Sequence, residues 1–142
     1  MLFKISKIIK KKFGKNLVSI VLFGSFVRGF KGQDIDILVV VRNLPKSWKK
    51  IRCLEKKLES HLFKKTERIC DIHLFSPKNF KENLVAGSFL TGLALGYRVI
   101  FDSEDTSQEI KRFVASLKGK PIKYVDKYGE WEIGKIAEIL HF

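Results

Sequence analysis

The chain is poor in cysteine, histidine and acid, and it holds no long apolar run. Its two cysteines, Cys53 and Cys70, lack paired-ligand spacing, which argues against a zinc site and leaves both as buried or idle thiols. The histidines, His61, His73 and His141, are scattered. His73 alone falls on the same strand face as a carboxylate, Asp71, where lining a site competes with plain packing. No apolar stretch approaches the length of a bilayer span. Met1 to Phe13 alternates lysines with Leu2, Ile5, Ile8 and Ile9, so it lacks the apolar centre of a signal peptide. A cytoplasmic protein with no membrane association is expected. Acid is outnumbered: 15 Asp and Glu face 28 Lys and Arg, a net charge of +13. That excess suits a polyanionic partner (nucleic acid, nucleotide or acidic protein), and it equally suits lysines that only keep the chain soluble. With 142 residues, 45% of them hydrophobic, the chain has enough for one domain with one core.

What is present is concentrated between Val21 and Val41. Leu17 to Phe23 is apolar and rich in branched residues, and Gly24-Ser25 breaks it. Ile35 to Val41 is a second apolar run, as expected for a strand covered on both faces. Asp34 and Asp36 lie two apart at its start, and side chains of a strand repeat with period two, so both carboxylates point to one side. Like charges so held call for a proton or a cation, and Mg²⁺ prefers carboxylate and phosphate oxygens. Gly24 permits close backbone approach, exposed N–H groups after it attract phosphate, and Ser25 adds a hydroxyl. Phosphate cradle and metal-holding carboxylates together imply a nucleoside triphosphate with magnesium.

Gly24-Ser25, Arg28-Gly29 and Asp34-Ile35-Asp36, in that order, resemble the signature of the DNA polymerase beta-like nucleotidyltransferases, and most of all the minimal nucleotidyltransferases of archaea and bacteria. That family carries a third carboxylate at the start of a later strand, and Asp71 within Arg68–Phe75 matches it. The resemblance spans about the first hundred residues. Gln33 stands where the family signature has a serine, and the loop from Gly29 to Asp34 is short. The resemblance implies that Asp34 and Asp36 bridge two Mg²⁺ ions and that Asp71 binds the one beside the attacking hydroxyl. Gly24, Ser25 and Arg28 would steady the phosphates of ATP or another nucleoside triphosphate. It also implies an acceptor of varied kind: an RNA end, a small hydroxyl compound or a protein, with some members adenylylating a HEPN-type toxin.

Elsewhere, Leu2, Ile5, Ile9 and Phe13 predict an amphipathic helix with a lysine face, ended by Gly14. A second helix is expected from Lys46 or Ser47 to Phe63, with Trp48, Ile51, Leu54, Leu58 and Leu62 turned to the core. Its other face carries Lys49, Lys50, Arg52, Lys56 and Lys57, diluted only by Glu55 and Glu59, and is a candidate acceptor surface. Ser76-Pro77 starts a helix, Gly96 to Phe101 is a short strand, and Glu109 to Leu117 is helical. Ile122 to Phe142 reads as an apolar helical tail, docked on the core or on another subunit.

The expected architecture is α/β: a small mixed sheet with helices mainly on one face, the catalytic domain over 1–121 and the tail over 122–142. The expected function is Mg²⁺-dependent transfer of a nucleoside monophosphate, AMP from ATP in the first instance, to a hydroxyl on RNA, protein or a small molecule. A homodimer or a partner chain would complete the acceptor site. Two alternatives use the same residues differently: a catalytically silent nucleic-acid-binding module, and an antitoxin-like subunit that masks its partner.

Overall fold

Two strands carry almost no polar residue, and the remaining elements cover them. In a computed structural model that describes residues 1–29, 34–126 and 129–140, all seven residues of β1 (Leu17–Phe23) are buried, as are six of seven in β2 (Ile35–Val41). They pair antiparallel at the centre of a four-stranded sheet. β3 (Cys70–Phe75) lies parallel to β2 on one edge, and β4 (Tyr97–Asp102) lies antiparallel to β1 on the other. The mixed sheet is as expected from the sequence.

Each face has its own core. On one face α1 (Leu2–Phe13) and α2 (Trp48–Thr66), the two longest helices, seat Ile5, Ile9, Leu58 and Leu62 on Ile20, Leu22, Ile35, Ile37, Val39 and Ile72. The other face is not bare. It is covered by the 3₁₀ segment Phe89–Leu95, by α3 (Pro77–Asn83), α4 (Thr106–Ser116) and α5 (Ile133–Leu140), over Val21, Phe23, Leu38 and Val40. Leu17 and Ile20 reach one face although three apart, because the pairing of β1 with β2 shifts between Leu17 and Ser19.

Three sequence readings are corrected. Trp48, the first residue of α2, is 73% exposed rather than in the core, whereas Leu58 and Leu62, nearer the end of that helix, are buried. α4 begins at Thr106 rather than Glu109, because Asp102 at the end of β4 accepts hydrogen bonds from the N–H groups of Thr106 and Ser107. The tail is not wholly helical: β5 (Lys123–Asp126) and β6 (Gly129–Glu132) form a hairpin before α5. α5 places Ile133 and Ala137 fully buried in the core, while Ile139 and Leu140 stay exposed. Gly134 lies so close to the backbone of Lys120 that a Cβ there would overlap it. Gln33, Tyr128 and His141 lie outside the described residues. Among the described residues, no helix is long and apolar enough to cross a membrane.

An edge strand leaves backbone groups without a strand partner. On β3, α2 meets that need: Glu59 accepts the N–H of Ile72 at 2.8 Å and Glu55 that of Leu74 at 2.9 Å. Arg52 pairs with both glutamates. The two acids that seemed to dilute the basic face of α2 are therefore turned to the sheet. Glu59→Ala should destabilise the protein by about 1–3 kcal/mol, the usual cost of a buried donor left without its partner. Urea unfolding measures this, and a loss within experimental error of zero would show that water replaces the carboxylate.

Candidate functional site

The site forms where the phases of β1, β2 and β3 agree. Odd-numbered residues of β2 point to the α1–α2 face, so Asp36 points to the other, along with Leu38 and Val40. The parallel pairing sets Asp36 directly beside Asp71, and Leu38 beside His73. Both carboxylates are half-buried. The Nε2 atom of His73 lies 3.4 Å from Oδ1 of Asp36, and its ring leans on Phe23 and Phe89 at centroid distances of 5.6 and 4.7 Å. His73 thus lines the site and is packed at the same time.

Opposite these acids β1 ends in the Gly24-Ser25 turn. Gly24 has φ 80°, a left-handed conformation that favours glycine. Sterics add a second demand: a Cβ on Gly24 would overlap Oδ2 of Asp36 and lie 3.1 Å from its Cγ. The turn and the carboxylate therefore meet with no room for a side chain between them. Together they open a pocket of about 160 Å³, lined by Phe23, Gly24, Ser25, Arg28, Asp36, Gly92, Leu95, Tyr124 and Asp126.

Two of those walls come from the tail, which the sequence did not reveal as part of the site. Arg28 donates through Nη2 to Oδ2 of Asp126 at 2.8 Å, the two side chains being only 13% and 20% exposed. Trp131 donates its indole N–H to the other oxygen of Asp126, and the Arg28 guanidinium lies 5.3 Å from the Trp131 ring centroid. Tyr124, paired across the hairpin with Trp131, sits on Gly92, where a Cβ would lie 3.0 Å from its hydroxyl. The available signal was weak: aromatic residues interleaved with four acids after Pro121, Asp126 among them, which also reads as an ordinary amphipathic tail.

Of the predicted residues, Gly24, Ser25, Arg28 and Asp36 share this pocket and Asp71 adjoins it beside Asp36. Asp34 sits exposed just before β2. Its charge still reaches Asp71. The Asp71 carboxyl is held above its ordinary value of 3.8, first by burial and then by the charges of Asp36, Asp34 and Glu59, with His73 pulling the other way. For a divalent cation the donor chemistry fits: oxygen ligands, adjacent, with mutual repulsion that a cation relieves. The full triad is not assembled, however, since no three acidic, histidine or cysteine groups come to metal-holding distance among the described residues. Cys70 is buried in the core of the α1–α2 face, its thiol pushed up to about 11 chiefly by burial, and Cys53 is exposed on α2, so neither lines the pocket.

Known proteins resemble this chain in sequence and in fold. The family model described as Polymerase beta, Nucleotidyltransferase matches residues 4–91. A protein of Methanocaldococcus jannaschii, named as a candidate protein adenylyltransferase, is 30% identical over 134 residues, covering 89% of this chain and 88% of its own. A solved tri-AMPylated HEPN toxin of Shewanella oneidensis in complex with MNT antitoxin contains a chain that is 19% identical with TM-score 0.51, covering 81% of this chain and 84% of that one. A toxin–antitoxin structure with AMP-PNP aligns with TM-score 0.51 and 19% identity over 78% of each chain. At such identity the solved structures establish a shared fold.

The raised carboxyl of Asp71 has a stability consequence. The folded state binds this proton more tightly than the unfolded chain, so ionised Asp71 opposes folding, and stability is lost as pH rises through its folded value. Asp71→Asn should therefore melt at a higher temperature than the parent at pH 7 without divalent cations. The gain should shrink as pH falls through the folded carboxyl's titration and vanish below the ordinary aspartate range, where the parent carboxyl is protonated in both folded and unfolded chains. A difference that stays constant over this range would refute the electrostatic origin.

Proposed function

Because the chain belongs to the polymerase beta nucleotidyltransferase family, we propose that it transfers AMP from ATP to a hydroxyl of a partner protein. The observation that carries the reading is the contact of Gly24 with Asp36, which sets an anion-binding turn against a carboxylate in one pocket. In this reading the backbone at Gly24 and the Ser25 hydroxyl hold phosphate oxygens of the triphosphate. Arg28, oriented by Asp126 and Trp131, adds positive charge on the same side. Tyr124 and Leu95 wall the pocket and exclude water.

The acceptor oxygen attacks the α-phosphorus in line, the bond from that phosphorus to the bridging oxygen breaks, and pyrophosphate leaves. The proton of the acceptor goes to the Asp71 carboxylate, a better base than an ordinary aspartate because burial and its neighbours raise its affinity for a proton. Magnesium, held by Asp36 and Asp71 with Asp34 beside them, would neutralise the crowded carboxylates and the triphosphate and lower the pKa of the attacking hydroxyl. A protein acceptor is favoured over RNA by the adenylyltransferase name of the relative and by the AMPylated toxin in the complex of similar fold.

The test is ATP labelled at the α-phosphate, incubated with magnesium, the protein and candidate partner chains, followed by separation of labelled species. Label on a protein that rises with the parent chain and falls at least about 100-fold with Asp36→Ala is the expected outcome. Loss of less than about tenfold would remove Asp36 from the chemistry. Label confined to RNA would move the acceptor assignment.

A further inference from the structure

The face of the sheet away from the pocket carries a second concavity. α1 and α2 run side by side over it, and between them lies a groove of about 860 Å³. Ile8 and Leu58 line it, and Phe3, 81% exposed, stands among its walls. Lysines complete the rim from both helices, Lys7 and Lys11 on one side and Lys57 and Lys65 on the other. No Asp or Glu lines it among the described residues, because Glu55 and Glu59 of α2 are committed to the edge of β3.

We propose that this groove docks an amphipathic helix of another protein, with an apolar stripe on the floor and acidic residues flanking it. Charge complementarity selects that occupant. Two rows of like charge facing a gap disfavour whatever is positive, and this chain carries +13 overall, so a second copy would set lysine against lysine. A phosphate backbone satisfies the rims but gains nothing from Phe3 and the half-buried Ile8, whereas a helix with leucines at i, i+3, i+4 and i+7 covers both and reaches the rims with its glutamates. An exposed phenylalanine beside an apolar floor is the anchor that such a stripe covers. The groove and the nucleotide pocket lie on opposite faces of the sheet, so a partner can sit here while the pocket stays open. This surface is independent of the proposed transfer.

The probe is a fluorescent helical peptide of about five turns, leucine on one face and glutamate on the other, titrated with the full chain at low salt and read by anisotropy. Lys7→Glu with Lys57→Glu should weaken binding by about tenfold or more, and Phe3→Ser by several-fold. Lys46→Glu with Lys50→Glu, the same charge change off the groove, should cost far less. Equal losses from both charge-reversed pairs, or equal binding of a peptide of identical composition in scrambled order, would overturn the proposal in favour of unspecific attraction. Poly(U) RNA that binds more tightly than the peptide, loses affinity with Lys7→Glu and Lys57→Glu, and ignores Phe3→Ser would overturn it in favour of nucleic acid. Circular dichroism of each variant confirms that the fold persists; a variant that unfolds is replaced by the corresponding Lys→Gln pair, for which the same ranking is required.

Discussion

Two carboxylates held side by side on parallel strands repel each other, and much of this structure serves to hold them there. Asp36 and Asp71 share a pairing position, so neither can turn away without breaking the ladder between β2 and β3. What keeps the ladder in place is apolar: Ile35, Ile37 and Ile72 on one face, Leu38 and Val40 on the other, all buried. Burial on both faces stabilises the strands by far more than the repulsion opposes, at about 1.5–3 kcal/mol per large side chain. Burial first, and the repulsion after it, hold the Asp71 carboxyl above its ordinary value.

The glutamates of α2 link this centre to the outer surface. Glu55 and Glu59 occupy the N–H groups of the β3 edge, which protects the strand from foreign pairing and places negative charge near Asp71. The same commitment leaves the outward side of α2 with lysine and arginine in excess. A demand of the backbone in one place thus creates a field of one sign in another.

The tail has a comparable double role. α5 contributes Ile133 and Ala137 to the second core, which anchors the hairpin in front of it. The hairpin in turn presents Asp126 to Arg28 and Tyr124 to Gly92. The ion pair is largely shielded from water, so it orients the guanidinium more firmly than a surface pair would.

Much was legible from residue order alone. The apolar runs Leu17–Phe23 and Ile35–Val41 are long and uninterrupted, and only strands covered on both faces suit them. The glycine that breaks the first run and Asp36 near the head of the second are local features with local causes, so the turn and the carboxylate against it follow from them, whereas Asp71 joins only through the β2–β3 pairing. The parts that escaped depend on contacts between distant segments. Nothing near Glu59 in sequence says that it meets the N–H of Ile72, and nothing near Asp126 says that it meets Arg28, 98 residues earlier. Trp48 has the right periodicity for the core, yet it is exposed while Leu58 and Leu62 on the same face are buried. Periodicity fixes which face of an element is apolar. Which partner lies against that face, and which polar group is spent on it, is decided only when the strands pair and the helices pack.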